Sequence, residues 1–113
     1  MNLPSLDQCT IKVEALEEDH HWEDPYYDDF APGVREGIAE MADQHGLWGW
    51  CLVKVTVIDP TGLLSASVGL GAVSCESEED FRNGSHSDYF KDLCQDALSE
   101  IHKQAKAVVN HYS

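Results

Sequence analysis

Hydrophobic and polar positions alternate along residues 9–16, where Cys9, Ile11, Val13 and Ala15 interleave with Thr10, Lys12 and Glu14. A period of two predicts a strand with one buried face. A longer signal of the same kind fills residues 47–75, LWGWCLVKVTVIDPTGLLSASVGLGAVSC. It predicts a β-hairpin turning at Asp59-Pro60-Thr61-Gly62, with Asp at i, Pro at i+1 and Gly at i+3 of a type I turn.

Two registers are compatible with that turn, and they differ in which side chains share a face. Pairing Asp59 with Leu63 leaves both faces mixed. Pairing Ile58 with Leu63 places Cys51, Val53, Val55 and Val57 with Leu64, Ala66, Val68 and Leu70, and sends Lys54, Thr56, Ser65 and Ser67 to the other side. The second register is expected. It also sets Trp50 opposite Gly71, Leu52 opposite Gly69 and Trp48 beside Val73, so that large side chains cover bare glycine backbone.

Helical spacing appears twice. Val34, Ile38, Met41 and Ala42 define a helix over residues 32–45, with Gly46 suited to its C-terminal cap and Gly33 and Gly37 weakening it. Phe90, Cys94, Ala97, Leu98, Ile101, Ala105, Val108, Val109 and Tyr112 define a longer helix capped by Ser87. Between hairpin and final helix, Ser77 caps a short turn that begins with Glu78, Glu79 and Asp80 and stops at Asn83-Gly84. The order β-α-β-β-α predicts an α+β fold: a two-layer sandwich of one domain, residues 1–113, with a small, mainly antiparallel sheet and both main helices on its valine-rich face.

Charge changes the picture more than composition does. Seven Lys and Arg against 21 Asp and Glu give a net charge of −14. Such a charge opposes direct binding to nucleic acid or anionic lipid and favours a basic protein partner. Within residues 14–29 eight carboxylates, Glu14, Glu17, Glu18, Asp19, Glu23, Asp24, Asp28 and Asp29, occur without a basic residue. Trp22, Tyr26, Tyr27 and Phe30 are interleaved with them, which predicts an anchored surface loop rather than a disordered tail. Glu78, Glu79 and Asp80 form a second acidic cluster, and Trp48 and Trp50 form a candidate aromatic docking face.

Other chemistry is weaker. Asp19, His20, His21, Glu23 and Asp24 hold imidazole and carboxylate donors suited to a transition metal, but adjacent residues on a loop do not supply convergent geometry, and neither metal nor cofactor is expected. Cys9, Cys51, Cys75 and Cys94 are scattered without a C-x-x-C pair and are expected to be reduced and packed. Cys75 with His86 offers a nucleophile pair in name only, since two such residues occur in most chains and no catalytic motif accompanies them. The N-terminal segment lacks the basic and apolar regions of a signal peptide, so a cytoplasmic protein is expected, and without a catalytic motif a non-enzymatic one.

The segments Ile11-Lys12-Val13-Glu14, Trp48-Gly49-Trp50-Cys51-Leu52-Val53-Lys54-Val55, Ser74-Cys75-Glu76-Ser77-Glu78-Glu79-Asp80-Phe81 and Asp88-Tyr89-Phe90-Lys91-Asp92-Leu93 resemble a family of small, uncharacterised phage proteins over most of residues 10–105. Cys75 stands where that family carries a tyrosine. The resemblance implies an inhibitor of bacterial defence, of the anti-CRISPR or anti-restriction kind, in which carboxylates imitate nucleic-acid phosphates and occlude the basic surface of a host defence complex. The alternative is a structural or regulatory protein that dimerises or docks through Trp48 and Trp50.

Overall fold

The computed structural model describes the backbone of residues 3–112 and the side chains of residues 3–108. Its main elements are β1 (Thr10–Leu16), α1 (Val34–His45), β2 (Cys51–Ile58), β3 (Ser65–Val73), α2 (Glu78–Asn83) and α3 (Ser87–Tyr112), with 3-10 turns at Leu6–Gln8, Pro25–Tyr27 and Gly46–Gly49. The three strands form one antiparallel sheet in the order β1-β2-β3. The α+β class and the β-α-β-β-α order follow the sequence pattern.

Strict alternation in β2 decides which face is covered. Cys51, Val53, Val55 and Val57 are fully buried, and they join Val13, Ala66, Val73, Cys75, Phe81, Cys94, Ala97 and Ile101 in one core. The opposite face carries polar side chains: Glu14 pairs across strands with Lys54, and the Thr56 and Ser67 hydroxyls meet at 2.8 Å.

The hairpin register is neither of the two expected. Ile58 pairs with Ser65 and Val57 with Ala66, two residues beyond the favoured register. Because side chains repeat every two residues, that slip preserves the sorting of faces. Its cause is Asp59. The Asp59 N–H donates to the Leu64 carbonyl at 2.9 Å, and its carboxylate accepts from the Leu64 N–H and the Thr61 hydroxyl, so the ladder extends to Asp59 and Leu64. The turn itself stands as expected, with the Gly62 N–H on the Asp59 carbonyl and Gly62 at φ 78°.

A bulge between Cys51 and Val53 changes the far end of the hairpin, so that Cys51 faces Val73. The expected Trp50–Gly71 pair is therefore absent. Ala72 takes a left-handed φ of 55°, and its N–H donates to the Glu18 carboxylate, which also covers Gly71. Leu52 does lie against Gly69.

The helices also depart from expectation in placement. α3 and α2 cover the valine face; α1 packs on the 3-10 turn Gly46–Gly49 instead. Gly49 makes that approach possible, since a Cβ there would overlap the Ala42 backbone. Gly33, at φ 88°, lies before α1 rather than inside it, which leaves Gly37 as the interior glycine. Ser77 caps α2 by accepting from the Asp80 N–H at 3.2 Å. Ser87 is the first residue of α3, because the Phe90 N–H already reaches the His86 carbonyl. Cys94, Ala97, Leu98, Ile101 and Ala105 are buried, whereas Val108 is exposed; the side chains of Val109 and Tyr112 lie outside the described residues.

The molecule measures 57 × 26 × 19 Å, with a radius of gyration of 17.0 Å. A compact chain of this length would have a radius of about 13 Å. Elongation follows from α3, whose 26 residues make a rod of about 39 Å at 1.5 Å rise per residue. Among the described residues no helix is long and apolar enough to cross a membrane.

Candidate acidic interaction surface

Antiparallel pairing brings the end of β1, the start of β2 and the end of β3 to one end of the sheet. Both acidic segments leave from that end, one after Leu16 and the other after Val73. Glu18 physically links them, since it reaches from the first loop to the Ala72 backbone just before the second.

Aromatic packing gives the first loop its shape. Trp50 is only 7% exposed, and its indole N–H donates to the His20 carbonyl at 2.8 Å. Tyr27 and Phe30 pack edge-on to Trp50 at 5.3 and 6.3 Å and stack on each other at 4.9 Å. Asp24 caps the turn Pro25–Tyr27 by accepting from the Tyr26 N–H at 2.9 Å. That hydrogen bond, followed by His20 and Arg35, holds the Asp24 carboxyl below the usual range despite some desolvation. From α1, Arg35 donates to the Asp24 carbonyl at 3.1 Å and stands 3.5 Å from Asp28.

The predicted acidic residues consequently divide in two. Glu18, Asp24 and Asp80 are half-buried and engaged with backbone N–H groups. Glu14, Glu17, Asp19, Glu23, Asp28, Asp29, Glu78 and Glu79 are exposed. Among the described residues, the ion pairs touching these two acidic segments are His20–Asp24, Arg35–Asp28 and Arg82–Glu78. Arg82 also donates to the Ile11 carbonyl at 3.3 Å and lies over the Phe90 ring, tying α2 to β1 and α3. Glu14 stands apart from the loop, on the polar sheet face opposite Lys54.

Folding treats the two rings of the aromatic docking face differently. Trp50 is enclosed by the acidic loop, and Trp48 is half-buried against the core, 6.4 Å from Phe81, with its carbonyl accepting from the Cys75 N–H. Trp50 therefore offers little surface to a second molecule, whereas Trp48 stays partly accessible.

The loop histidines are likewise used for packing. His20 stacks on Tyr26 at 4.3 Å and lies 3.6 Å from Asp24, while His21 sits on Trp22 and accepts from the Glu23 N–H through Nδ1. Their nitrogens do not converge with the neighbouring carboxylates as a ligand set.

Cys75 and His86 do meet, with Sγ 3.3 Å from Nδ1. Burial, then the charge of Asp80, then Cys51 push the Cys75 thiol up to about 12, the reverse of an activated nucleophile. Sequence spacing carries no sign of this contact, because the two residues approach only when α2 folds back between them. At the opposite end, a groove of about 390 Å³ runs between Leu3, Pro4, Leu64 and Ala105. Among the described residues, the one titratable group lining it is Asp59, whose carboxylate is occupied in the hairpin turn. Comparison with protein-family models, curated proteins and solved structures finds no match.

Proposed function

We propose that the chain is a non-enzymatic acidic docking protein that occupies a basic nucleic-acid-binding surface in place of nucleic acid. The observation that carries this reading is the shared exit of both acidic segments from one end of the sheet, with the longer segment braced on Trp50. Glu17, Asp19, Glu23, Asp28 and Asp29 are thereby displayed together on an ordered loop with Arg35 as a partial counter-charge. Carboxylates fixed in this way meet a basic groove without first paying for loop ordering, and their field speeds encounter. The resemblance to small phage proteins makes a host defence complex the partner class, within the cytoplasm of an infected bacterium.

Capture from a bacterial lysate tests the proposal. A nucleic-acid-handling complex should be retained, released by salt and displaced by its own nucleic acid, and not retained by a variant carrying Lys at Glu17, Asp19, Glu23 and Asp29. Equal retention by that variant rules the reading out. Glu18 and Asp24 are kept in the test because they hold the loop together.

A further inference from the structure

Three potential metal ligands, Cys75 in the link from β3 to α2, Asp80 in α2 and His86 in the turn before α3, meet near the junction of β3, α2 and α3. Cys75 Sγ, a carboxylate oxygen of Asp80 and an imidazole nitrogen of His86 all lie within 4.8 Å of one another. We propose that Cys75, Asp80 and His86 form a zinc site that clamps the exit of β3 to α2 and the start of α3.

Geometry favours an ion shared by the sulfur and the imidazole. Zinc is bound at about 2.3 Å by sulfur and about 2.0–2.1 Å by nitrogen, so across the observed 3.3 Å one ion would subtend an S–Zn–N angle of about 100°, close to tetrahedral. With the carboxylate oxygen within 4.8 Å of both, a movement of no more than about 1.5 Å completes a third edge at tetrahedral spacing.

The surroundings fix each ligand. The Cys75 N–H is held by the Trp48 carbonyl at 2.8 Å. Asp80 is oriented by the Ser77 cap on its N–H and by the Glu76 N–H on Oδ2 at 3.1 Å. Gly84 leaves the space that Asp80 fills, since a Cβ there would overlap Oδ1 and the Asp80 carbonyl. His86 lies against Phe81 at 6.0 Å, which positions its ring. Outer contacts of this kind commonly orient metal ligands.

A mixed sulfur, nitrogen and oxygen donor set suits zinc better than the hard cations calcium or magnesium. Cys75 is buried, whereas Asp80 and His86 are half-buried, so solvent can reach a fourth position from their side. Burial first and the Asp80 charge second raise the thiol's pKa without metal; a divalent cation between sulfur and carboxylate offsets the Asp80 contribution and favours the thiolate. Binding replaces the S–H bond of Cys75 with an S–Zn bond, and the proton passes to solvent.

Chelator-stripped full chain is titrated with Zn²⁺ against a chromophoric competitor, and separately with Co²⁺. One ion per chain, proton release on binding and a thiolate-to-cobalt charge-transfer band are expected. Cys75→Ser should abolish the band, and His86→Gln should weaken zinc binding by at least about tenfold. His20→Ala with His21→Ala should leave both unchanged. Absence of stoichiometric binding by the folded chain overturns the proposal. So does an unaltered affinity in His86→Gln, a band that survives Cys75→Ser, or a loss caused by the loop histidines instead. Circular dichroism checks each variant's fold; if Cys75→Ser fails to fold, His86→Gln decides.

Discussion

Trp50→Ala tests whether the acidic loop owes its order to one ring. Trp50 lies outside the main core cluster, although it is buried beneath Tyr27 and Phe30 and bonded to His20. Truncating a buried tryptophan costs about 3–5 kcal/mol. Near 1.4 kcal/mol per factor of ten, local opening of the loop should become easier by about 10²-fold to about 4 × 10³-fold, up to complete loss of protection. Native-state hydrogen exchange reads this at the Asp24, Tyr27, Asp28 and Phe30 amides, which bond within the loop. The Val53, Val55 and Val57 amides, in the main core, should change far less. Trp50→Phe keeps a ring but orphans the His20 carbonyl, which costs about 1–3 kcal/mol and should give an intermediate effect. Unchanged loop exchange in Trp50→Ala would refute the bracing role, and an equal acceleration throughout the sheet would show that the loop is no separate unit.

Other substitutions and conditions have defined outcomes. Gly49→Ala should lower stability by about 1–3 kcal/mol through the clash with α1, whereas Gly37→Ala, with open space at its Cβ, should raise it by about 0.5–1 kcal/mol; urea midpoints measure both. Burial pushes Cys51 up to about 11 and Cys75 up to about 12. In the metal-free chain the folded state therefore holds these protons longer than the unfolded state. Stability is full below about pH 9 and falls as pH rises toward 11 and 12, by up to about 1.4 kcal/mol per pH unit for each thiol, and urea midpoints across that range should show it. At Asp59, burial raises the pKa but hydrogen bonds from Leu64, Thr61, Gly62 and Leu63 outweigh it, so the carboxyl stays below its ordinary value. Its contribution is present above pH 4 and is lost as pH falls through the folded pKa; Asp59→Asn should lower the thermal midpoint at pH 7 and flatten this acid limb.

Periodicity made the strands, the long helix and the buried valines legible, because burial on one face imposes a period that sequence displays directly. Ser77 and Asp59-Pro60-Thr61-Gly62 were equally readable, since caps and turns depend on nearby side chains. The register was not, because the Asp59 carboxylate extends the ladder through hydrogen bonds that hydrophobic sorting does not register. Strict alternation carries Trp50 past a bulge that it does not reveal, and the Glu18 carboxylate that meets the bulged strand at Ala72 comes from 54 residues away in sequence. The same limit applies to α1: its apolar stripe announces a helix, but only the close approach at Gly49 reveals that it packs on the 3-10 turn. The acidic positions were visible at once. Their division into carboxylates that hold the fold and carboxylates that face solvent required the hydrogen bonds.

The most direct measurement of the central claim is the affinity of the captured partner complex for this chain as salt is varied, with and without competing nucleic acid. Affinity should fall linearly in a plot of log K against log salt, nucleic acid should compete, and the Glu17, Asp19, Glu23 and Asp29 lysine variant should lose binding while retaining its fold. An affinity indifferent to salt, or simultaneous binding of this chain and nucleic acid at the same basic surface, would contradict phosphate mimicry.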